Sequence, residues 1–316
     1  MTDSRNTSQL SRRGAAGNGG ADGDGSSRSA DFARASGAAL SGERDFAFSL
    51  ADFGRIRNLI YQRAGIALAE HKREMVYSRI ARRLRALGMT SFTEYLDMLE
   101  ADTGDSEWEA FTNALTTNLT SFFRESHHFP LLADFVRQRA KPISVWCCAA
   151  STGEEPYSIA MTLVDTLGSR PNASVLATDV DTQVLARASA AVYNGEQTGK
   201  LTQEQLRRHF LRGTGANAGK IKVRPELQQL VTFAPLNLLA PSWQIGGPFD
   251  VIFCRNVMIY FDKATQARIL ERFVPLLKPD GLLFAGHSEN FTYVSRAFRL
   301  RGQTVYELAG TSARGA

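Results

Sequence analysis

The chain has 316 residues, 43% of them hydrophobic and 22% charged, with a formal net charge of +5 and three cysteines. That length suggests two domains, and the apolar content allows a sizeable core. No apolar run approaches the ~20 residues needed to span a bilayer, and the N-terminal string MTDSRNTSQLSRRGAAG lacks the apolar stretch of a signal peptide. Two cysteines are adjacent (Cys147 and Cys148), and the set has neither a disulfide framework nor metal-ligand spacing. A cytoplasmic, metal-free protein with no membrane insertion is expected.

Residues 1–45 are rich in Gly, Ala, Ser, Asp and Arg and poor in large apolar groups, so they cannot offset their ordering entropy; a disordered tail is expected. From 46 to 128 the pattern is helical. Leu59, Ile60 and Arg63 mark one short segment and His71–Leu87 a longer one. Ser91, with Glu94 three residues on, looks like a helix start, and Trp108, Phe111, Leu115 and Leu119 recur at helical spacing. This stretch is also basic: nine Lys/Arg (Arg55, Arg57, Arg63, Lys72, Arg73, Arg79, Arg82, Arg83, Arg85) stand against Glu70 and Glu74. On a helix Val76, Ile80, Leu84 and Leu87 share a narrow arc, while Lys72, Arg79, Arg82, Arg83 and Arg85 occupy another. One face can pack while the other meets an acidic partner.

From 129 to 312 short apolar strands alternate with helices. Strands are expected at Ser144–Ala149, Ser174–Ala177, Phe249–Cys254 and Leu282–Ala285, the last after a turn at Lys278–Gly281. Helices fit at Glu155–Leu167, Asp181–Tyr193 and Lys263–Leu277, and Val305–Leu308 suits a final antiparallel strand. The alternation predicts an α/β fold, a parallel doubly wound sheet. Between Tyr193 and Asn237 lie a charged helix (Gln203–Phe210), a glycine-rich loop (Arg212–Gly219) and two strand-like runs, Lys220–Val223 and Gln229–Phe233. This is long for a connection, and an inserted β subdomain over about 194–235 is expected.

Ligands of such sheets bind beyond the carboxyl ends of the strands. After the first strand, Ala150–Glu155 holds one glycine where a dinucleotide fingerprint has three, which argues against a pyrophosphate cradle. Asp179, 26 positions after Gly153, suits ribose hydroxyls. S-adenosylmethionine has a ribose, no phosphate and a positive sulfonium, so one acid and one close backbone approach would serve it. Each of these signals alone also fits an ordinary turn or a helix cap.

Four strings then make a more specific match. Thr117-Asn118-Leu119-Thr120-Ser121-Phe122-Phe123-Arg124-Glu125, Ser151-Thr152-Gly153-Glu154-Glu155-Pro156-Tyr157-Ser158, Phe253-Cys254-Arg255-Asn256-Val257-Met258-Ile259-Tyr260-Phe261 and Gly286-His287-Ser288-Glu289 resemble the motifs of chemotaxis receptor methyltransferases, the CheR family. The resemblance covers about 46–310. It implies a helical domain over a Rossmann-like S-adenosylmethionine-dependent methyltransferase sheet with a small β insertion. Carried over by motif, the implied cofactor contacts are Asn118, Thr120, Arg124, Glu155, Asp179, Asn237, Leu238, Arg255 and Asn256. The implied reaction is O-methylation of glutamate side chains on the cytoplasmic helical region of chemoreceptors, with Arg124 and Tyr260 orienting the carboxylate. Arg79, Arg82 and Arg83 would meet the acidic receptor helix. In members that tether to a receptor's C-terminal peptide, the insertion adds a strand edge to it, and Arg212, Gly213, Gly215, Gly219 and Lys222 resemble that surface. A monomer is expected.

A nucleic-acid methyltransferase would also explain a basic helix. However, the place of an Asn/Asp-Pro-Pro-aromatic motif holds Cys254-Arg255-Asn256-Val257, and no cysteine follows a proline. A non-catalytic sensor would not need Arg124 and Tyr260 beside a complete cofactor site. Histidines 127, 128 and 287 have no carboxylate or thiol at ligand spacing in the sequence, and no metal or nucleic-acid partner is expected.

Overall fold

The computed structural model describes residues 45–101, 104–139, 142–169 and 171–310. The tail expected at 1–45 lies, but for Asp45, outside the described residues.

Helix α1 (Leu50–Ala64) starts on a capping box. Ser49 Oγ accepts from the Asp52 amide at 3.0 Å, and the Asp52 carboxylate accepts from the Ser49 amide at 2.9 Å. Helix α2 (Arg73–Leu87) is equally long at 15 residues, so the expected short-then-long pair is in fact two equal helices. Helix α3 (Phe92–Ala101) begins after Ser91, whose Oγ accepts from the Glu94 amide at 3.4 Å. Helix α4 (Asp105–Leu115) carries Phe111 and Leu115 into a core with Ile56, Ile60, Val76, Ile80 and Leu84. Two expectations fail here. Leu87, placed on the apolar arc, is 39% exposed, and Leu119 lies beyond α4 and is 79% exposed. The helix stops because Thr116 turns extended, and Thr116, Thr117 and Asn118 have side chains that compete for backbone partners.

The main sheet is built from β1 (Ile143–Cys147), β2 (Ala173–Asp179), β6 (Val231–Pro235), β7 (Phe249–Cys254), β8 (Leu277–Ala285), β9 (Phe298–Gly302) and β10 (Val305–Leu308). Its order is β6-β2-β1-β7-β8-β10-β9, parallel from β6 to β8, with β10 antiparallel to both neighbours. Helices α5 (His128–Arg137), α6 (Glu154–Leu167), α7 (Thr182–Ala190) and α10 (Lys263–Phe273) connect or flank these strands. All six residues of β7 are buried, as a central parallel strand covered on both faces requires. Strand order reverses between β1 and β7, which fixes the ligand crevice at their carboxyl ends. The turn expected at Lys278–Gly281 is instead part of β8, where the register against β7 shifts between Phe249 and Val251.

A second, antiparallel sheet has the order β3-β5-β4, from β3 (Val192–Asn194), β4 (Phe210–Arg212) and β5 (Lys220–Val223). Helix α8 (Gln203–His209) precedes β4, and α9 (Pro225–Gln228) leads out of β5. The Val223 amide donates to the Ala191 carbonyl at 3.0 Å, so the chain leaves and re-enters the larger fold at one point. Of the run Gln229–Phe233, assigned from sequence to this insertion, Val231–Phe233 belongs to β6 at the edge of the main sheet, with Val231 opposite Val175.

Candidate active site

A cleft of about 320 Å³ opens over the carboxyl ends of β1, β2 and β7. Its roof comes from the helical region, through Ile66–Ala69, Lys72 and Met75. Its floor is held by carboxylates, Asp179 half-buried and Asp181 buried. Asp179 at the end of β2 accepts from the Ser151 amide at 2.8 Å (Oδ2) and the Asp181 amide at 3.0 Å (Oδ1), while Ser151 Oγ donates to the Asn118 carbonyl at 3.1 Å. Burial raises the Asp179 pKa and the two amides oppose it. Asp181 accepts from Thr116 Oγ1 at 2.6 Å and Asn118 Nδ2 at 2.8 Å, and its other oxygen caps α7. Gly153 does not line the cleft, contrary to the expected backbone approach to the cofactor. Its φ is +97°, and a Cβ there would stand 2.7 Å from Tyr193 Oη, so packing against Tyr193 and Ala188 requires the glycine.

Arg255 is the central cation. It is buried, ion-paired through Nη1 to Glu155, and donates through Nη2 to the Arg124 carbonyl at 2.6 Å, with Glu125 Oε2 at 3.2 Å. Burial raises the Glu155 pKa, and Arg255 pulls it back. Burial also acts to raise Glu125, but the His287 hydrogen bond, the Arg255 charge and the Asn256 amide outweigh it and bring its pKa down to about 2. Phe123 (φ 49°) and Glu125 (φ 52°) both sit in the left-handed region on either side of Arg124. The bend turns the Arg124 side chain to the cleft wall, where Nη1 donates to the Leu119 carbonyl at 2.9 Å.

The loop after β7 is gathered by a single carboxylate. Buried Glu289 accepts from the amides of Asn256 (2.9 Å), Val257 (2.9 Å), Met258 (2.8 Å) and Gly286 (2.6 Å). A Cβ on Gly286 would lie 2.5 Å from Asn256 Nδ2 and 2.8 Å from Glu289 Oε2, so only glycine lets these two loops approach. Tyr260, at the end of this loop, lines the cleft with Arg124.

Comparison with known proteins settles the family. Residues 51–116 match the family described as "CheR methyltransferase, all-alpha domain", and residues 118–307 match "CheR methyltransferase, SAM binding domain". The chain belongs to the CheR methyltransferase family. It is 62% identical over 264 residues to a chemotaxis protein methyltransferase of Escherichia coli K12, covering 83% of this chain and 92% of that protein. A relative of the same description from Klebsiella aerogenes is 62% identical over 278 residues (87% and 96% covered). "Chemotaxis protein methyltransferase 2" of Pseudomonas aeruginosa is 54% identical over 272 residues (85% and 96%). The cofactor of this CheR-family chain is S-adenosylmethionine. The cleft walls fit that molecule: apolar Leu115, Val180, Leu236 and Leu238 for a base, and acids Glu155 and Asp179.

Of the CheR residues singled out from sequence, Asn118, Thr120, Arg124, Glu155, Asp179, Leu238, Arg255, Asn256 and Tyr260 all line this cleft. Asn237 does not. Its Nδ2 donates to the Arg63 carbonyl at 2.6 Å and its Oδ1 accepts from the Leu239 amide at 2.9 Å, so it ties the end of α1 to the loop after β6. Glu125, Asp181 and Glu289 were missed. The first and last stand inside strings singled out by resemblance, but nothing in a sequence tells a buried acceptor of amides from a surface acid.

The basic arc divides. Arg83 forks onto Glu107 (Nε to Oε1, 2.8 Å), and Arg79 donates to the Ala114 carbonyl at 3.2 Å and to that of Thr116, at the carboxyl end of α4. Arg82, Arg85 and Lys72 are exposed, and Lys72 lines the cleft. In the insertion, Arg212 ends the edge strand β4, the Gly213 amide closes the β4–β5 hairpin on the Lys220 carbonyl at 2.9 Å, and Gly215, Gly219 and Lys222 are exposed.

Proposed function

We propose that this chain transfers the methyl group of S-adenosylmethionine to glutamate side-chain carboxylates of bacterial chemoreceptors, forming methyl esters on their cytoplasmic helical region. The observation that carries this is the placing of Arg124 and Tyr260 on one cleft with Glu155 and Asp179. The names of the relatives, chemotaxis protein methyltransferases, support it.

The reaction asks little of the protein beyond placement. S-adenosylmethionine supplies a methyl group made electrophilic by its sulfonium. A glutamate with pKa near ~4.3 arrives ionised, so no general base is required. Arg124 cannot be one, since guanidinium stays protonated. One of its nitrogens is occupied by the Leu119 carbonyl, which holds the fork at the wall and leaves other N–H groups for a carboxylate. Tyr260 orients the same group from the opposite loop. With the cofactor bound, Arg124 and Tyr260 would hold the carboxylate toward its methyl group, the placement effect for which effective molarities reach ~10⁵–10⁸ M. Lys72 lines the cleft, and exposed Arg82 and Arg85 add positive charge on α2 that suits an acidic helix. The free edge of β4 suits strand addition by a receptor's C-terminal peptide.

Incubation with radiolabelled S-adenosylmethionine and receptor cytoplasmic fragments tests the reading. Alkali-labile label on glutamates is expected. Cofactor binding without such label, across the panel, would overturn it.

A further inference from the structure

Beside the catalytic arginine a tight turn, closed by the His128 amide on the Glu125 carbonyl at 3.1 Å, brings three side chains together. One ligand atom from each of Glu125, His127 and His128 lies within 4.8 Å of the others. The buried ring of His128 fixes what this cluster lacks. Its Nε2 stands 2.9 Å from the Gln303 carbonyl and 3.1 Å from Thr304 Oγ1. A carbonyl only accepts, so Nε2 carries the proton and Nδ1 presents a lone pair. That Nδ1 is buried with no hydrogen-bond partner and faces Glu125 Oε2 at 3.8 Å. Two electron-pair donors therefore confront each other across a gap.

We propose that Glu125, His127 and His128 form a binding site for a zinc-class transition-metal ion. A histidine ligand characteristically donates its other ring N–H to a carbonyl or carboxylate, and the His128–Gln303 contact has that form. Carboxylate and imidazole are ligands such an ion takes at about 2.0–2.2 Å, which places adjacent ligand atoms roughly 3.3 Å apart; the 3.8 Å gap needs only a small closure. His127 is exposed and gives the entry path, and a fourth position is left to solvent. Glu125 is also held by Arg255, Asn256 and His287. Coordination must therefore draw it from Arg255 and disturb the brace on the Arg124 carbonyl. Occupancy then slows methyl transfer; this consequence rests on the function proposed above, whereas the binding does not.

Titration calorimetry of the metal-free, tag-free full chain with Zn²⁺ is expected to give saturable binding of one ion. His127→Ala should weaken it at least tenfold, and His71→Ala, an exposed histidine elsewhere, should leave it unchanged. No saturable binding, or equal binding by His127→Ala, would overturn the site and mean that solvent bridges the gap. Assayed separately, Zn²⁺ should slow methyl transfer by the parent chain and not by His127→Ala. Binding without slowing would keep the site and overturn its coupling to Arg124.

Discussion

The Ala67 amide donates to the Tyr260 carbonyl at 3.0 Å. The loop that follows α1 therefore holds the backbone of a cleft tyrosine that arrives on the loop after β7. Ala67→Pro deletes that donor. With a net worth of about 0.5–1.5 kcal/mol per hydrogen bond, turnover should fall up to roughly tenfold with little change in melting temperature. Steady-state rates beside a thermal melt check this, and an unchanged turnover would make the contact incidental.

Arg255 neutralises Glu155 at a buried position on the cleft wall. Arg255→Met alone leaves that carboxylate unpaired and should destabilise the chain by about 3–5 kcal/mol in urea unfolding. Arg255→Met combined with Glu155→Leu should recover much of the stability, since paired apolar replacements are often neutral. It should not recover cofactor affinity, because both side chains line the cleft.

Glu125 predicts a pH dependence. Its folded pKa is depressed from 4.5 to about 2, so its contribution to stability is full above the unfolded value and is lost as pH falls through the folded one. Unfolding free energies measured between pH 5 and pH 2 should drop more steeply for the parent than for Glu125→Gln. Parallel slopes would show that its partners give it no net advantage.

Gly286→Ala forces a methyl between Asn256 and Glu289. Overpacking of this kind costs about 1–3 kcal/mol. A second expected effect is on cofactor affinity, weakened tenfold or more because the loop bearing Asn256 and Tyr260 must shift. Calorimetric binding of S-adenosylhomocysteine separates the two effects.

The basic helix makes opposite predictions for neighbouring positions. Arg82→Glu, on an exposed side chain, should raise the KM for a receptor fragment several-fold and leave the melting temperature alone. Arg83→Glu faces buried Glu107 and should chiefly lower stability, by about 3–5 kcal/mol. If Arg82→Glu leaves KM unchanged, this face does not steer the substrate.

The difference between Arg82 and Arg83 also marks where sequence reasoning stopped. Helical periodicity gives the angle of a side chain about its own axis, and it set both on the same polar arc. It carries no information about Glu107 on α4, which captures one and not the other. Around the cleft the sequence was legible because β1, β2 and β7 are central parallel strands whose continuous apolar runs end in polar turns, and the polar residues after those ends line the cleft. Gln229–Phe233 was placed in the wrong sheet because a short apolar run after a glycine-rich loop has no mark of its partner; pairing with Val175 decided it. Asn237 stands off the cleft lining for a related reason. Its motif put it beside Leu238, which does line the cleft, but an asparagine can serve a backbone carbonyl as readily as a ligand, and Arg63 offered one.

The hydrogen bond from Val223 to Ala191 closes the insertion on itself. No strand of the seven-stranded sheet changes neighbour if what lies between those two residues is lengthened, shortened or exchanged. On the function proposed above, partner choice and chemistry sit on separable pieces of one chain: a lineage can re-address the protein to other targets by rewriting a detour while the cleft, with Arg255 at its wall and Glu289 holding the loop after β7, stays as it was.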